Sequence, residues 1–117
     1  MTSAVAVRSE ADGVCVIVCS GEFDLHTSSV LAVACEREAA PGGLLVLDVA
    51  QVAFADSAFL TTLLWVRDSR RLVLAGPLPS QLRRLLEMTK VLDLFEIRDN
   101  TGQSDSQHLR ERLAPAW

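Results

Sequence analysis

An acid and a hydroxyl stand side by side at Asp56-Ser57, between two apolar stretches. The first stretch begins LLVLDV at Leu44. It is too short for a long helix and too apolar for an exposed strand, so we predict a strand buried on both faces. The second, AFLTTLLWVR, predicts a helix. A side-chain oxygen of Asp56 or Ser57 can cap this helix by accepting hydrogen bonds from unpaired backbone N–H groups. The serine would then lie at the positive end of a helix, where an added phosphoryl group is tolerated.

The rest of the chain predicts the elements that position this pair. Asp12-Gly13 suits a hairpin turn with positive φ, so the strands on either side form an antiparallel pair. Pro41-Gly42-Gly43 ends the helix before the buried strand, and strands of that buried type pair in parallel. We predict strands over 5–9, 14–19, 44–49, 72–75 and 94–97, and helices over 27–39, 57–70 and 80–89. The predicted fold class is α/β: a single small domain with a mixed sheet of four to five strands and helices packed mainly on one face.

Helical spacing predicts which side chains of the first and last helices face the core: Val30, Leu31, Ala34, Cys35, Leu82, Leu85 and Leu86. The three cysteines form no CxxC pair, and any disulfide scheme leaves one of them unpaired. We therefore interpret Cys15, Cys19 and Cys35 as core residues of a protein in a reducing compartment. Residues 1–98 form the predicted domain, and 99–117 form a polar C-terminal tail in which HLRERL is the candidate for a short helix.

Composition narrows the class of partner. The formal net charge of −4 and the pI near 5.0 disfavour a nucleic-acid partner, because phosphate binding needs a concentrated basic surface. Two basic clusters, Arg67 with Arg70 and Arg71, and Arg83 with Arg84, fit a helix C-terminus and a solvated helix face, with DNA or anionic lipid as the alternative ligand. The chain has no long apolar segment and no basic, apolar N-terminal leader, so we expect a cytoplasmic protein without membrane insertion.

Neither a catalytic centre nor a cofactor site is evident in the sequence. A nucleophilic Ser57 would need a nearby base, but His26 lies in a predicted loop and His108 in the tail. No Gly-x-Ser-x-Gly elbow, phosphate-binding GxxxxGK[ST] loop, GxGxxG turn or pairwise metal-ligand spacing is present. We therefore expect no enzyme, no metal and no cofactor.

Two short motifs resemble those of the STAS domains of anti-sigma factor antagonists. The segment Asp56-Ser57-Ala58-Phe59-Leu60 is similar to the family signature Asp-Ser-x-Gly-Leu, with Phe59 in place of the family's glycine. A Gly-x-x-Asp turn after an early strand is present as Gly21-Glu22-Phe23-Asp24. Together with the order of the predicted elements, the resemblance covers roughly residues 5–98.

The resemblance implies a partner switch that regulates transcription, as in a stress response. The unmodified protein would bind an anti-sigma factor that is also a serine kinase, and phosphorylation of Ser57 would release it. The same resemblance implies that the partner-binding residues are Asp24, Asp56, Ser57, Ala58 and Phe59. It also allows a phosphatase as a second partner, and exposed helices allow a weak homodimer.

Two questions stay open at this point. Ser57 is either the phosphorylation site or only a helix cap, and Phe59 points either into the core or towards a partner. STAS-like domains also resemble regulatory subunits of membrane transporter ATPase complexes, including lipid transporters, in which phosphorylation control is not needed. An exposed apolar patch at Phe54, Phe59 and Leu63 would fit either function.

Overall fold

The computed structural model describes residues 3–9, 13–38 and 42–99. Its strands are β1 (Ala4–Ser9), β2 (Val14–Phe23), β3 (Leu44–Ala55), β4 (Arg71–Gly76) and β5 (Glu96–Asp99). Its helices are α1 (Leu25–Glu38), α2 (Ser57–Ser69) and α3 (Ser80–Met88), and a short 3-10 helix covers Leu92–Leu94. In this part of the chain, five strands form one sheet in the order β1-β2-β3-β4-β5, with β1 antiparallel to β2 and the other pairs parallel. The predicted mixed α/β fold is confirmed.

The main core lies between the sheet and the helices. Alternate side chains of β2, β3 and β4 pack against buried residues of all three helices, among them Leu31, Phe59, Leu63, Leu82 and Leu86.

The three cysteines are free and buried, as predicted. Burial raises the pKa of the Cys35 thiol to about 12 and also raises the pKa of Cys19. Both thiols are therefore protonated at neutral pH and act as small apolar side chains.

Strand β3 is longer than the predicted 44–49. From Leu44 to Val49 its helix-side core residues recur every second position, but beyond Val49 the buried side chains are Val52 and Ala55, at every third position. Two register shifts against β2 cause this change, because each adds one residue to β3 relative to its neighbour. A spacing of three is not a strand pattern, so the sequence did not indicate the extension.

Other boundaries also differ from the predictions. The Gly-x-x-Asp segment is not a separate turn: β2 continues to Phe23, with Gly21 in the left-handed region at φ 89°, and only Asp24 lies outside the strand. The predicted strand 94–97 is divided between the end of the 3-10 helix and the start of β5. In α1 the prediction for Val30 was wrong, since Val30 is 47% exposed and Ser28 is buried instead. Apart from Asp99, the predicted tail lies outside the described residues, as does His108.

Candidate functional site

Two helices start next to each other at the carboxyl edge of the sheet. Strand β2 ends at Phe23 and α1 follows after Asp24, while β3 ends at Ala55 and α2 follows after Asp56. Phe23 and Ala55 are partners in the ladder, and the Asp56 N–H donates to the Phe23 carbonyl at 3.2 Å. Asp24 and Asp56 therefore occupy equivalent positions on neighbouring strands.

Asp56 is the N-cap of α2. Its Oδ1 accepts hydrogen bonds from the backbone N–H groups of Ala58 at 2.9 Å and Phe59 at 3.3 Å. Ser57 is the first residue of the helix, is exposed, and its hydroxyl makes no hydrogen bond to the described part of the chain. The cap is thus supplied by the acid, and the serine hydroxyl does not have that structural role.

Asp24 caps α1 through a reciprocal pair of hydrogen bonds with Thr27. The Thr27 N–H donates to Asp24 Oδ1 at 3.0 Å, and the Asp24 N–H donates to Thr27 Oγ1 at 2.8 Å. This arrangement is a capping box with a threonine in place of the usual Glu or Gln. The hydrogen bond from the Thr27 backbone, followed by that from its side chain, lowers the pKa of Asp24, so this carboxylate is ionised at neutral pH.

Phe59 is a core residue. Its side chain is fully buried, and its ring lies 5.0 Å from the ring of Phe23, centroid to centroid, at a tilt of 48°. This places Phe59 in the core and corrects the expectation that its side chain belongs to the partner-binding surface. The expected apolar patch is corrected in the same way, because Leu63 is also fully buried and only Phe54, at 48% exposure, reaches the surface. The ring pair instead packs the end of β2, just before α1, against the first turn of α2.

Gln81 is a residue of this region that the sequence analysis did not identify. Its side-chain amide pairs with the backbone of Ala55 in both directions: Oε1 accepts from the Ala55 N–H at 2.8 Å, and Nε2 donates to the Ala55 carbonyl at 2.8 Å. Strand β4 pairs with β3 only as far as Asp48, so the amide takes the place of a neighbouring strand at Ala55. The Gln81 side chain thereby fixes Ala55, the residue immediately before Asp56. The two residues are 26 positions apart, so no local sequence pattern indicates this contact.

The edge that presents Ser57 is acidic. Glu22 and Asp24 are exposed on the β2 side, and Asp56 is half-buried beside the serine. Ala58 is half-buried in the first turn of α2, so it adds a small apolar surface next to the hydroxyl.

Among the described residues no group of His, Cys, Asp or Glu is arranged to hold a metal ion. Nor does any helix within the described ranges have the length and apolarity needed to cross a membrane.

Comparison with known proteins shows which family and which solved structures this chain resembles. The model of the family described as "Mlab, STAS domain" matches residues 6–96, a range that contains both Asp24 and Ser57. A comparison with curated protein sequences gives no significant match. An anti-sigma factor antagonist from Mycobacterium paratuberculosis has a similar structure, with a TM-score of 0.71 and 24% identity over 83% of this chain and 86% of that one.

Two structures of the antagonist SpoIIAA have the same fold. The unphosphorylated form matches with a TM-score of 0.67 and 18% identity, covering 95% of this chain and 98% of that one. The phosphorylated form, from Bacillus, matches with a TM-score of 0.63 and 16% identity, covering 94% of this chain and 99% of that one. At these identities the structures establish the fold. Because the family model spans most of the sequence, including both helix starts, the chain belongs to the STAS domain family.

Proposed function

We propose that this chain is an anti-sigma factor antagonist that acts by partner switching. In its unmodified state it binds an anti-sigma factor serine kinase through the surface of Asp24, Asp56, Ser57 and Ala58, and phosphorylation of Ser57 releases it. One observation carries the proposal: Ser57 is exposed at the start of α2 with a hydroxyl that the fold does not use, because Asp56 supplies the cap. A kinase can modify this hydroxyl without breaking a described contact.

Electrostatics explain how one phosphoryl group switches the surface. A phosphoserine adds about −1.5 to −2 charges at neutral pH. Here it stands beside the Asp56 carboxylate, at an edge that also carries Glu22 and ionised Asp24. An interface that covers this cluster must remove water from it, which is costly without matching cations on the partner. Affinity then falls without any change of fold.

The free domain itself tolerates the modification. The Ala58 and Phe59 N–H groups are already paired with Asp56, so the new phosphate extends outwards into water. The fold of SpoIIAA is known in unphosphorylated and phosphorylated forms, and both are similar to this chain. This similarity supports a switch that acts at the interface rather than through refolding. A phosphatase that restores Ser57 would complete the cycle, and the proposed setting is transcription regulation in the cytoplasm, as in a stress response.

Partner capture tests the proposal with a matched control. The wild-type chain, Ser57→Glu and Ser80→Glu are each used to capture proteins from lysate of the source cells, followed by mass spectrometry. Ser80 is the exposed first residue of α3, so Ser80→Glu adds the same charge at an equivalent helix position. We expect the wild type and Ser80→Glu to capture a serine kinase with an ATP-binding domain, and Ser57→Glu to lose it. Equal capture of that kinase by all three chains contradicts the switch.

A second candidate is a regulatory subunit of a membrane transporter ATPase complex. The observation that favours it is the family description, which names Mlab and not an anti-sigma factor antagonist. In this role the exposed edge docks on an ATPase and Ser57 needs no modification. Capture of a transporter ATPase by the wild type and by Ser57→Glu alike would support this candidate.

A further inference from the structure

The two edges of the sheet differ in how they are protected. Among the described residues, β1 pairs only with β2 and β5 pairs only with β4, so each strand has one side without a neighbour. Strand β5 has four residues, and three of them are charged: Glu96, Arg98 and Asp99. Strand β1 is longer and has the sequence AVAVRS, with one charge and no proline. Natural proteins protect exposed edges with charges, prolines or short strands, so β5 is protected and β1 is suited to pairing with another strand.

The surface beside the β1 edge is apolar. Val5 packs against the helix-side core, and Val7 lies on the same face of the strand but is 39% exposed. Helix α1 packs over both β1 and β2 and carries two exposed valines, Val30 at 47% and Val33 at 52%. A groove between β1 and α1 is lined by Ser3, Ala4, Val5, His26, Thr27 and Val30. An apolar groove next to an unpaired strand edge is typical of a protein–protein interface.

A second copy of this chain can supply both a strand and a helix at this edge. Two β1 strands that pair antiparallel about a two-fold axis at Ala6 place Val5 of one copy opposite Val7 of the other, on the helix side of the sheet. The two strands are then about 4.8 Å apart, and because α1 packs over both β1 and β2, the two α1 helices lie about 10 Å from each other. Helices that pack together are about 8–10 Å apart, so the strand pairing also brings the helices into contact.

The exposed side of α1 is complementary to itself. His26, Val30, Val33 and Arg37 recur at intervals of four, three and four positions, so they form one stripe along the helix. In an antiparallel pair of these helices, Val30 of each copy meets Val33 of the other. Arg37, in the last turn of one helix, then lies beside the start of the other helix, which the Asp24 carboxylate caps. We propose that β1 and α1 form the interface of a two-fold homodimer in which the two sheets join through their β1 strands.

Sedimentation velocity of the full-length chain over a range of concentrations tests the proposal. We expect the wild type to approach twice its monomer mass of 12.7 kDa at high concentration. Val30→Lys/Val33→Lys places like charges at the centre of the interface and should weaken association at least about tenfold, while the exposed positions leave the fold intact. Met88→Lys/Leu94→Lys adds the same charge at exposed apolar residues outside β1 and α1, so it should dimerise like the wild type.

Nuclear Overhauser contacts in a mixture of labelled and unlabelled wild-type chains identify the interface itself. A spectrum filtered for intermolecular contacts should connect Val5 with Val7, and Val30 with Val33.

Two outcomes overturn the proposal. The first is a wild type that stays monomeric at every concentration, which would leave the β1 edge for a strand of a different protein. The second is a dimer that lacks these intermolecular contacts, or that both lysine variants weaken equally, because another surface would then form it. Neither experiment involves a kinase or Ser57, so the result is independent of the proposed function.

Discussion

Strand β3 has two halves that are held in different ways. From Leu44 to Asp48, the inner half, it pairs with β2 on one side and with β4 on the other. From Val49 to Ala55, the outer half, it pairs with β2 alone, and the ladder shifts register twice. In the inner half, the side chains of residues 44–47 are buried on both faces and Asp48 is half-buried, whereas Gln51, Ala53 and Phe54 of the outer half are exposed.

The two halves of β3 therefore have different roles: the inner half stabilises the fold, and the outer half positions the candidate functional site. The inner half is a regular strand at the centre of two buried clusters. The outer half extends beyond β4 and carries the chain to Asp56 and Ser57, with Gln81 in place of the missing neighbour. An exposed serine can therefore be presented to a partner at the end of a strand whose first half is fixed by the core.

The largest expected effect is in the inner half. Leu47→Ala removes a fully buried side chain that packs in the helix-side core, and we expect it to lower the free energy of unfolding by about 2–5 kcal/mol. The matched change in the outer half, Phe54→Ala, should lower it by only about 1 kcal/mol, since Phe54 is 48% exposed and loses much less buried surface. Urea unfolding of both variants measures the contrast. Equal losses would show that the two halves are not held differently.

The next effect concerns the support of the outer half. Gln81→Ala leaves the N–H and carbonyl of Ala55 without their side-chain partner, which should cost about 1–3 kcal/mol. Hydrogen exchange at the Ala55 amide should accelerate more than at Leu47, which keeps partners on both sides. Arg84→Ala, an exposed position on the same helix, is the control and should change neither quantity. Unchanged exchange at Ala55 in Gln81→Ala would mean that β2 alone holds the outer half.

The inner half, the cap and the helix after it could be predicted from the sequence for local reasons. A run of apolar residues identifies a doubly buried strand, and an acid and a hydroxyl before an apolar helical pattern indicate a cap. Which of Asp56 and Ser57 supplies the cap was left open by the sequence and is decided by the hydrogen bonds of Asp56. The outer half could not be predicted, because register shifts against β2 change the spacing of its buried residues from two positions to three. The role of Gln81 was not predicted because its hydrogen-bond partner, Ala55, is distant in sequence. The direction of Phe59 depends on Phe23, on another strand, so its sequence position alone left both orientations open.

The caps at the carboxyl edge give a smaller effect. Asp56→Ala removes the acceptor for the Ala58 and Phe59 N–H groups and should cost about 0.5–2 kcal/mol. Asp56→Asn keeps an oxygen at the same position and should remain close to the wild type, which separates the hydrogen bonds from the charge. Thermal unfolding at neutral pH measures both variants. A loss in Asp56→Asn as large as that in Asp56→Ala would show that the charge, rather than the acceptor oxygen, stabilises α2.

The smallest expected effect on stability is at Ser57 itself. Its hydroxyl has no described hydrogen bond, so Ser57→Ala and Ser57→Glu should each change the free energy of unfolding by no more than about 0.5 kcal/mol. Calorimetric unfolding of these variants beside Asp56→Ala makes the comparison within one helix start. A loss in Ser57→Ala equal to that in Asp56→Ala would make the hydroxyl part of the cap. A stable Ser57→Glu that no longer captures the kinase would instead place the whole effect of the charge at the interface, as expected for a residue presented by the outer half of β3.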